Sequence, residues 1–365
     1  MNYFGIDVHS TYHKVVGLTA DGESLEFDIP NTEEGREELQ ELMLQYKPCA
    51  AGMEACTGAY KLHDLLQPVV QRIQLFHPAE LKKLFGKKRR KNDRLDAEMA
   101  CQATKYEMDG IWVPDEETRQ RRALSTRRVS MTQNRTAAMN AVRSAFREYH
   151  IPLAKDPWSD KGMRVLRERL KQLPPSIALG VELELEHVEM YNRSIEKLDR
   201  RMAELAWGDE QIELLMSVPG INYYSAFVIM AEVGDIHRFE TAKQLTSYAG
   251  LCPSVSQSGK KSTRYGPITR KGRCRLRWIM VECGHVAARF APKLQKLKWR
   301  VKKRSGVGNI ATVAVGRKLL ELCYYILKSG EPYSESVAEK HEEKLTKLRR
   351  RAGVKKPKKN LALTG

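Results

Sequence analysis

The chain has 365 residues, which is long enough for two domains of ordinary size with a core in each. Its 63 Lys and Arg residues outnumber its 45 Asp and Glu residues, and the net charge of +18 favours a polyanionic partner, nucleic acid first, because each neutralised phosphate releases condensed counterions. No stretch approaches the roughly 18 to 20 uncharged apolar residues of a membrane-spanning helix, and seven scattered cysteines without a Cys-x-x-Cys pair argue against a disulfide framework or a zinc site.

The amino terminus runs straight into the strand-like sequence NYFGIDV, without the features of a signal peptide, so we expect a cytoplasmic protein. Short β-rich runs then alternate with helical patterns, which predicts an α/β domain over residues 1–115. A helix is expected from Glu33 to Gln45. The five predicted strands are YFGIDV, HKVVGLTA, SLEFDI, CAAGMEA and RIQLFH.

Four carboxylates are placed where they could meet at one edge of this sheet. Asp7 ends the first strand, Glu54 ends the fourth, and Asp93 and Asp96 stand on one face of a helix that starts there. Such a cluster repels itself unless divalent cations neutralise it, and oxygen ligands select Mg²⁺ or Mn²⁺. Two such ions can hold the attacking and leaving oxygens of a phosphodiester, as in many nucleases. The basic residues expected to attract DNA to this place are Lys87, Lys88, Arg89 and Arg90.

The opening sequence GIDVHSTYHK also resembles the phosphate-binding hairpin of sugar kinases and related ATPases. That class requires a second phosphate loop and a glycine-rich adenosine site, which we do not identify. The nuclease-type site is therefore the preferred interpretation.

From Pro114 to about Trp207 the sequence loses its strand signals, which predicts a helical connector over residues 116–209. Apolar residues recur in it every seven positions, as in a coiled-coil seam. Packing of one amphipathic helix on its own domain explains the same pattern, so both uses stay open. The two heptad series are Val181, Val188, Ile195 and Met202, and Tyr191, Leu198 and Leu205.

A second compact region is expected over residues 210–330, followed by a basic tail over 331–365 that has little to bury and is expected to be disordered. Near the start of this region, SVPGINYYSAFVIMAEVGD has the form of helix, Pro-Gly hairpin and helix. Such a hairpin can present backbone N–H groups to a phosphate, or it can be a simple turn.

The segment YAGLCPSVSQSGKKSTRYGPITRKGRCRLRWIM contains a candidate nucleophile, Ser258, in a polar loop. A serine that attacks a phosphodiester needs an accessible hydroxyl and nearby cations that stabilise the transition state. From the residues alone, Ser254, Ser256 and Ser262 are equal candidates. The cations expected to bind nucleic acid here are Lys260, Lys261, Arg270, Lys271, Arg273, Arg275 and Arg277.

These motifs occur together in one known family. GID, MEACTGAY and HPAELKKLFGKKRRKNDRLDAE, followed by SVPGI, AEVGD, RFETAKQLTSYAGLCPSVSQSGK and ITRKGRCRLR, resemble insertion-sequence transposases with a RuvC-like DEDD domain and a carboxy-terminal serine domain, the bridge-RNA-guided recombinases. The resemblance covers roughly residues 3–115 and 210–290. It does not cover the basic tail, and the hairpin reads PGIN where the family more often has a second glycine.

The resemblance implies an α/β RNase H-like (RuvC-like) domain, a helical and coiled-coil connector and a mainly helical serine domain. It makes Asp7, Glu54, Asp93 and Asp96 the metal-binding DEDD set and Ser258 the nucleophile that forms a covalent phosphoserine. It further implies target and donor DNA, a noncoding bridge RNA that guides their choice, and a homo-oligomer in which dimers assemble into a tetramer, in a prokaryotic cytoplasm.

Two other functions account for part of the same sequence. A plain RuvC-like, junction-resolving nuclease would use the carboxylates to activate water, and Ser258 would be inert. A non-catalytic nucleic-acid-binding protein would explain the charge but not the four ordered carboxylates.

Overall fold

The computed structural model describes residues 1–85, 92–256, 264–269 and 271–355 of the chain. It divides the chain into two compact units, Met1–Pro114 and Asp115–Gly365. Within the described residues, none of the helices has both the length and the apolar composition needed to cross a membrane.

The first unit is built on a mixed sheet of five strands in the order β3-β2-β1-β4-β5. β1 pairs antiparallel with β2, and β2 with β3, whereas β1 pairs parallel with β4, and β4 with β5. All five predicted strands are therefore present. Their bounds are Asn2–Val8 (β1), Tyr12–Leu18 (β2), Ser24–Pro30 (β3), Cys49–Glu54 (β4) and Arg72–Phe76 (β5).

Four helices accompany the sheet, and the first covers the residues predicted for it. It begins after Thr32, whose side chain accepts a hydrogen bond from the Gly35 N–H and so satisfies one free donor of the first turn. Phe4 and Ile6 of β1 pack with Leu39 and Met43 of this helix in the main core of the unit. The helices are Glu33–Gln45 (α1), Ala59–Leu66 (α2), Pro78–Phe85 (α3) and Asp93–Lys105 (α4).

Helix α4 lies unusually close to the backbone of the two central parallel strands. Gly5 of β1 and Gly52 of β4 are register partners. A Cβ atom at Gly5 would overlap the carbonyl oxygen of Ala97, and one at Gly52 would overlap the hydroxyl of Thr104. Both contacts lie on α4, so the helix can pack here only because neither strand residue has a side chain.

The second unit is mostly helical and contains one β-hairpin, made of Pro253–Ser256 (β6) and Arg264–Ile268 (β7). Two short 3₁₀ turns occur at Leu170–Gln172 and Ile236–Arg238. The helices are Glu116–Glu148 (α5), Asp160–Arg169 (α6), Pro175–Ala206 (α7), Glu210–Leu215 (α8), Tyr223–Val233 (α9), Ala242–Tyr248 (α10), Cys274–Phe290 (α11), Pro292–Ser305 (α12), Gly308–Ser329 (α13) and Ala338–Arg351 (α14).

The predicted connector forms two long helices, α5 and α7, that pack side by side and run antiparallel. Arg128 Nε donates to Asp199 Oδ1 at 2.9 Å, and Arg135 Nη1 donates to Asn192 Oδ1 at 2.9 Å. The first heptad series is buried within the single chain at Val181, Val188, Ile195 and Met202. Packing on the chain's own domain therefore accounts for the burial of this first series.

The carboxy-terminal segment differs from the expected disorder, because residues 338–351 form helix α14. Its Leu348 is fully buried in the main core of the unit. Lys344 Nζ donates at 2.7 Å to the carbonyl oxygens of both Met216 and Val218, just beyond α8. The charged composition of this segment did not indicate a helix. The helix is held in place by one apolar face, which includes Leu348.

We expect Gly5→Ala to lower the free energy of unfolding by about 3 kcal/mol, because the new methyl group forces α4 away from β1. Chemical denaturation measures this change. The matched control is Gly180→Ala in α7, where a Cβ meets no atom within 4 Å and alanine favours the helix by about 1 kcal/mol. Equal stability of the Gly5→Ala and wild-type proteins would contradict the packing argument.

Candidate active site

Asp7 and Glu54 lie at the same edge of the sheet and on the same face. They directly follow Ile6 and Met53, which are register partners in the parallel pair of β1 and β4. Side chains two residues apart along a strand point to one side, so both carboxylates share the face of the two glycines. Helix α4 covers that face, so both residues lie on the side of the sheet on which α4 packs.

Asp93 and Asp96 occupy the first turn of α4. The helix begins after Asn92, whose side chain accepts a hydrogen bond from the Arg94 N–H. Acidic residues are favourable at this end because the unpaired N–H groups carry partial positive charge. Burial chiefly raises the pKa of Asp7, and the negative charges of Asp96 and Asp93 raise it further.

His9 joins the carboxylates at the centre of this group. Its Nε2 atom lies 3.0 Å from Asp7 Oδ2 and 3.2 Å from Asp93 Oδ1. Tyr12 donates its hydroxyl proton to Asp93 Oδ2 at 2.6 Å, and its ring stacks on the His9 ring with centroids 5.3 Å apart. Asp7, His9 and Asp93 thus offer one potential ligand atom each, all within 4.8 Å of one another.

Sequence analysis missed His9 and Tyr12. A signal for His9 existed, because it stands two residues after Asp7 and the period of a strand directs both side chains to one side. Tyr12 gave no such signal, since its contact with Asp93 joins residues 81 positions apart.

Burial is the main cause of a raised pKa at Asp7, whose side chain is 16% exposed. The charges of Asp96 and Asp93 raise it further, whereas His9 lowers it. The charged form of Asp7 is therefore costly in this arrangement, and a cation beside it would offset that cost. Clustered carboxylate oxygens fit a hard divalent ion such as Mg²⁺ or Mn²⁺.

The candidate nucleophile belongs to the β-hairpin of the second unit, and the described residues fix the base of that hairpin. The Thr269 N–H donates to the Cys252 carbonyl at 3.0 Å, and the Arg273 N–H donates to the Tyr248 carbonyl at 2.8 Å. A Cβ at Gly272 would overlap the Tyr248 carbonyl, so the two chain segments touch through their backbones. Ser258 lies in the chain between β6 and β7, outside the described residues.

Several predicted nucleic-acid-binding residues also lie outside the described residues, and for all of them this role stays a prediction. They are Lys87, Lys88, Arg89, Arg90, Lys260, Lys261 and Arg270.

Among the described cations, Lys271 is exposed and the three arginines after it make contacts within the protein. Arg273 Nε donates to Glu232 Oε2 at 2.7 Å, and the Glu232 side chain is only 3% exposed. Arg275 donates to the Thr126 hydroxyl at 2.5 Å, and Arg277 to the Ala249 carbonyl at 3.0 Å. These arginines help to hold α11 in place, and their binding to nucleic acid stays a prediction.

The Pro-Gly hairpin is a tight turn between α8 and α9. Val218 and Ile221 are buried in the core. A Cβ at Gly220 would come within 2.8 Å of the Cys283 carbonyl, so the turn packs closely on α11. Asn222 has a negative φ of −109° and caps α9 together with Ser225, so no second glycine is needed there.

Two family models match the chain. A model of the IS110-type DEDD transposase domain, described as Transposase, matches residues 4–151. The model described as Transposase IS116/IS110/IS902 family matches residues 212–298. The first match contains the acidic cluster formed by Asp7, His9 and Asp93. The second match contains the β-hairpin of β6 and β7 and also α11.

Curated relatives carry related names. The transposase for insertion sequence element IS1111A of Coxiella burnetii is 28% identical over 77% of this chain and 78% of its own length. The transposase for IS1328 of Yersinia enterocolitica is 24% identical over 82% of this chain and 90% of its own. The pilin gene-inverting protein of Moraxella bovis is 26% identical over 48% of this chain and 56% of its own.

We expect Mn²⁺ to raise the melting temperature of the protein, because an ion bound at 100 times its Kd adds about 2.7 kcal/mol of stability. The gain should largely vanish in Asp7→Asn, which removes one ligand charge. Asp28→Asn is the control, since Asp28 pairs with Lys14 at 2.9 Å and is not part of the cluster. Calorimetric titration of both variants measures the affinity, and equal Mn²⁺ binding by the two would exclude Asp7 as a ligand.

Proposed function

We propose that this chain is a DNA recombinase that cuts and rejoins strands through Ser258, with a divalent metal held by four carboxylates. The chain belongs to the IS116/IS110/IS902 family of insertion-sequence transposases. The observation that carries the proposal is the half-buried acidic cluster at one end of the β1–β4 pair. It lies within the region that the DEDD domain model matches.

The strand arrangement supports an RNase H-like, RuvC-like first domain. Three antiparallel strands are followed by two that continue in parallel, in the order β3-β2-β1-β4-β5. Asp7 is the last residue but one of the central strand, and the parallel neighbour of that strand ends in Glu54. In this proposal Asp7, Glu54, Asp93 and Asp96 would hold Mg²⁺ or Mn²⁺, and the ion would supply positive charge to the phosphate oxygens. Tyr12 orients the Asp93 carboxylate.

In this proposal strands are exchanged because the DNA phosphate is first transferred to the serine oxygen. The Ser258 hydroxyl oxygen forms a bond to the DNA phosphorus, the bond to one deoxyribose oxygen breaks, and the serine proton ends on the departing hydroxyl. The phosphodiester energy is conserved in the phosphoserine. Attack by the hydroxyl of another strand reverses these bond changes and restores Ser258, so no external energy source is required.

The same proposal includes a bridge RNA that specifies target and donor DNA, and a tetramer in which the carboxylates of one protomer act with the serine of another. If the site is shared in this way, a mixture of Asp7→Asn and Ser258→Ala proteins should recover part of the recombination that each lacks alone. Counting recombinant plasmids measures the recovery. No recovery from co-purified mixed assemblies would contradict a shared site.

A junction-resolving nuclease is the second candidate function. The acidic cluster favours it because Asp7, His9 and Asp93 come together within the first unit alone. Water would then attack the phosphate, and no protein would remain attached to DNA.

We expect Ser258→Ala to fold and bind DNA but to form no covalent adduct and no recombinant product, because the attacking oxygen is absent. Ser254→Ala is the matched control, as Ser254 lies in β6 of the same hairpin, and it should retain activity, losing at most one hydrogen bond or about 1 to 3 kcal/mol. Denaturing gels of labelled DNA reveal adducts, and mass spectrometry maps the attached residue.

Two results would separate the candidate functions. Magnesium-dependent cutting by Ser258→Ala without any adduct would indicate the nuclease. An adduct mapped to a residue other than Ser258 would keep the recombinase and move the nucleophile.

A further inference from the structure

Helix α12 carries an unusual concentration of positive charge. Its sequence, PKLQKLKWRVKKRS, has seven lysines and arginines and no acidic residue. Leu294 and Val301 are buried, so one side of the helix faces the core and the cations lie on the others. Most charged helix faces contact only solvent. Two features of α12, an exposed tryptophan and a neighbouring groove, indicate a ligand.

Trp299 provides the first such observation, because its side chain lies among these cations and is 64% exposed. Residues three and four positions away are its neighbours on the helix surface, which places Lys296 and Lys303 beside the indole. The Lys303 ammonium lies 5.1 Å from the ring centre. An exposed indole flanked by ammonium groups offers an aromatic face and phosphate contacts at the same point.

A groove next to α12 provides the second observation. It has a volume of about 1710 Å³, and its walls include α12, α13 and Gly266–Ile268 of β7. A smaller cavity of about 700 Å³, lined in part by Trp299, shares Lys293, Leu297 and Arg300 with the groove. The two cavities adjoin at these residues of α12 and give a path along the helix from the indole to β7.

The charges along this path favour an anion. The side chains of Arg300 and Arg304 make no hydrogen bond or ion pair with any part of the chain that the structure describes. On the opposite wall, Arg317 and Lys318 share the single carboxylate of Glu321. Arg300 and Arg304 are therefore available to contact an anion. The apolar residues that line the groove suit a polyanion that also has apolar surfaces.

A lipid surface fits this helix poorly, because a helix that lies on a membrane inserts its apolar face, and that face of α12 is buried in the core. Duplex DNA also fits poorly, since its bases are stacked on each other and offer no free face to an indole. An unpaired strand offers both unstacked bases and phosphates.

We infer that α12 and the adjoining groove bind an unpaired DNA strand, with a base stacked on Trp299 and phosphates on Lys296, Lys303, Arg300 and Arg304. The choice of DNA rests on the proposed function, in which the chain cuts and rejoins DNA strands. The surface would hold a displaced strand near the base of the hairpin during exchange.

The test compares Trp299→Leu with wild-type protein in fluorescence anisotropy, using a labelled single-stranded DNA oligonucleotide, the same strand in a duplex, and an RNA of the same sequence. We expect the Kd for single-stranded DNA to rise about tenfold, which is about 1.4 kcal/mol, and the Kd for duplex to change less than about twofold. Trp299→Phe should restore most of the affinity, because phenylalanine keeps an aromatic face.

Two controls separate stacking from other effects. Tyr325→Leu removes an aromatic residue of α13 that is also exposed and should leave the Kd unchanged. A double Arg300→Gln and Arg304→Gln variant should reduce the salt dependence of single-strand binding by roughly 0.7 per lost contact, whereas Trp299→Leu should not alter that slope.

Three outcomes would overturn the inference: an unchanged Kd for single-stranded DNA, an equal loss on duplex, or a larger loss on RNA than on DNA. Loss of strand binding in Trp299→Leu, combined with a wild-type protein that does not recombine DNA, would support this surface and reject the proposed function.

Discussion

The close approach of α4 to the central parallel strands is the constraint on which the candidate active site depends. Two glycines paired across β1 and β4 leave room for the helix backbone against the sheet. That approach brings the acidic first turn of α4 beside the strand ends. Asp7 of β1 and Asp93 of α4 therefore meet at this edge without any long loop, and their mutual placement depends on rigid secondary structure.

The acidic cluster combines unfavourable electrostatics with strong local support. Burial and neighbouring negative charge both oppose the ionised form of Asp7. His9 lies between two of the carboxylates, and Tyr12 fixes one of them by a hydrogen bond. Perturbed ionisation of this kind is concentrated at functional sites, because a folded chain gains little stability from bringing like charges together. The second unit contrasts with this, since its buried Glu232 has an arginine partner in Arg273.

The sequence predicted those features that depend on neighbouring residues. Short β-rich runs indicated all five strands of the first unit, and the position of Asp7 and Glu54 near strand ends followed from the same runs. The sequence could not predict contacts between residues that come together only in the folded chain. The first heptad series of α7 is buried within the same chain, and α14 forms in a segment whose charge suggested disorder. Tyr12 and the Arg273–Glu232 pair likewise depend on residues far apart in sequence.

The base of the β-hairpin is held together by backbone contacts. Backbone hydrogen bonds join Cys252 to Thr269 and Tyr248 to Arg273, and Gly272 allows the two segments to touch. None of these contacts uses a side chain between the two ends. The anchoring of the two ends therefore does not depend on which side chains stand between them. Such a junction is a natural crossover point for chimeras between relatives that differ in this loop.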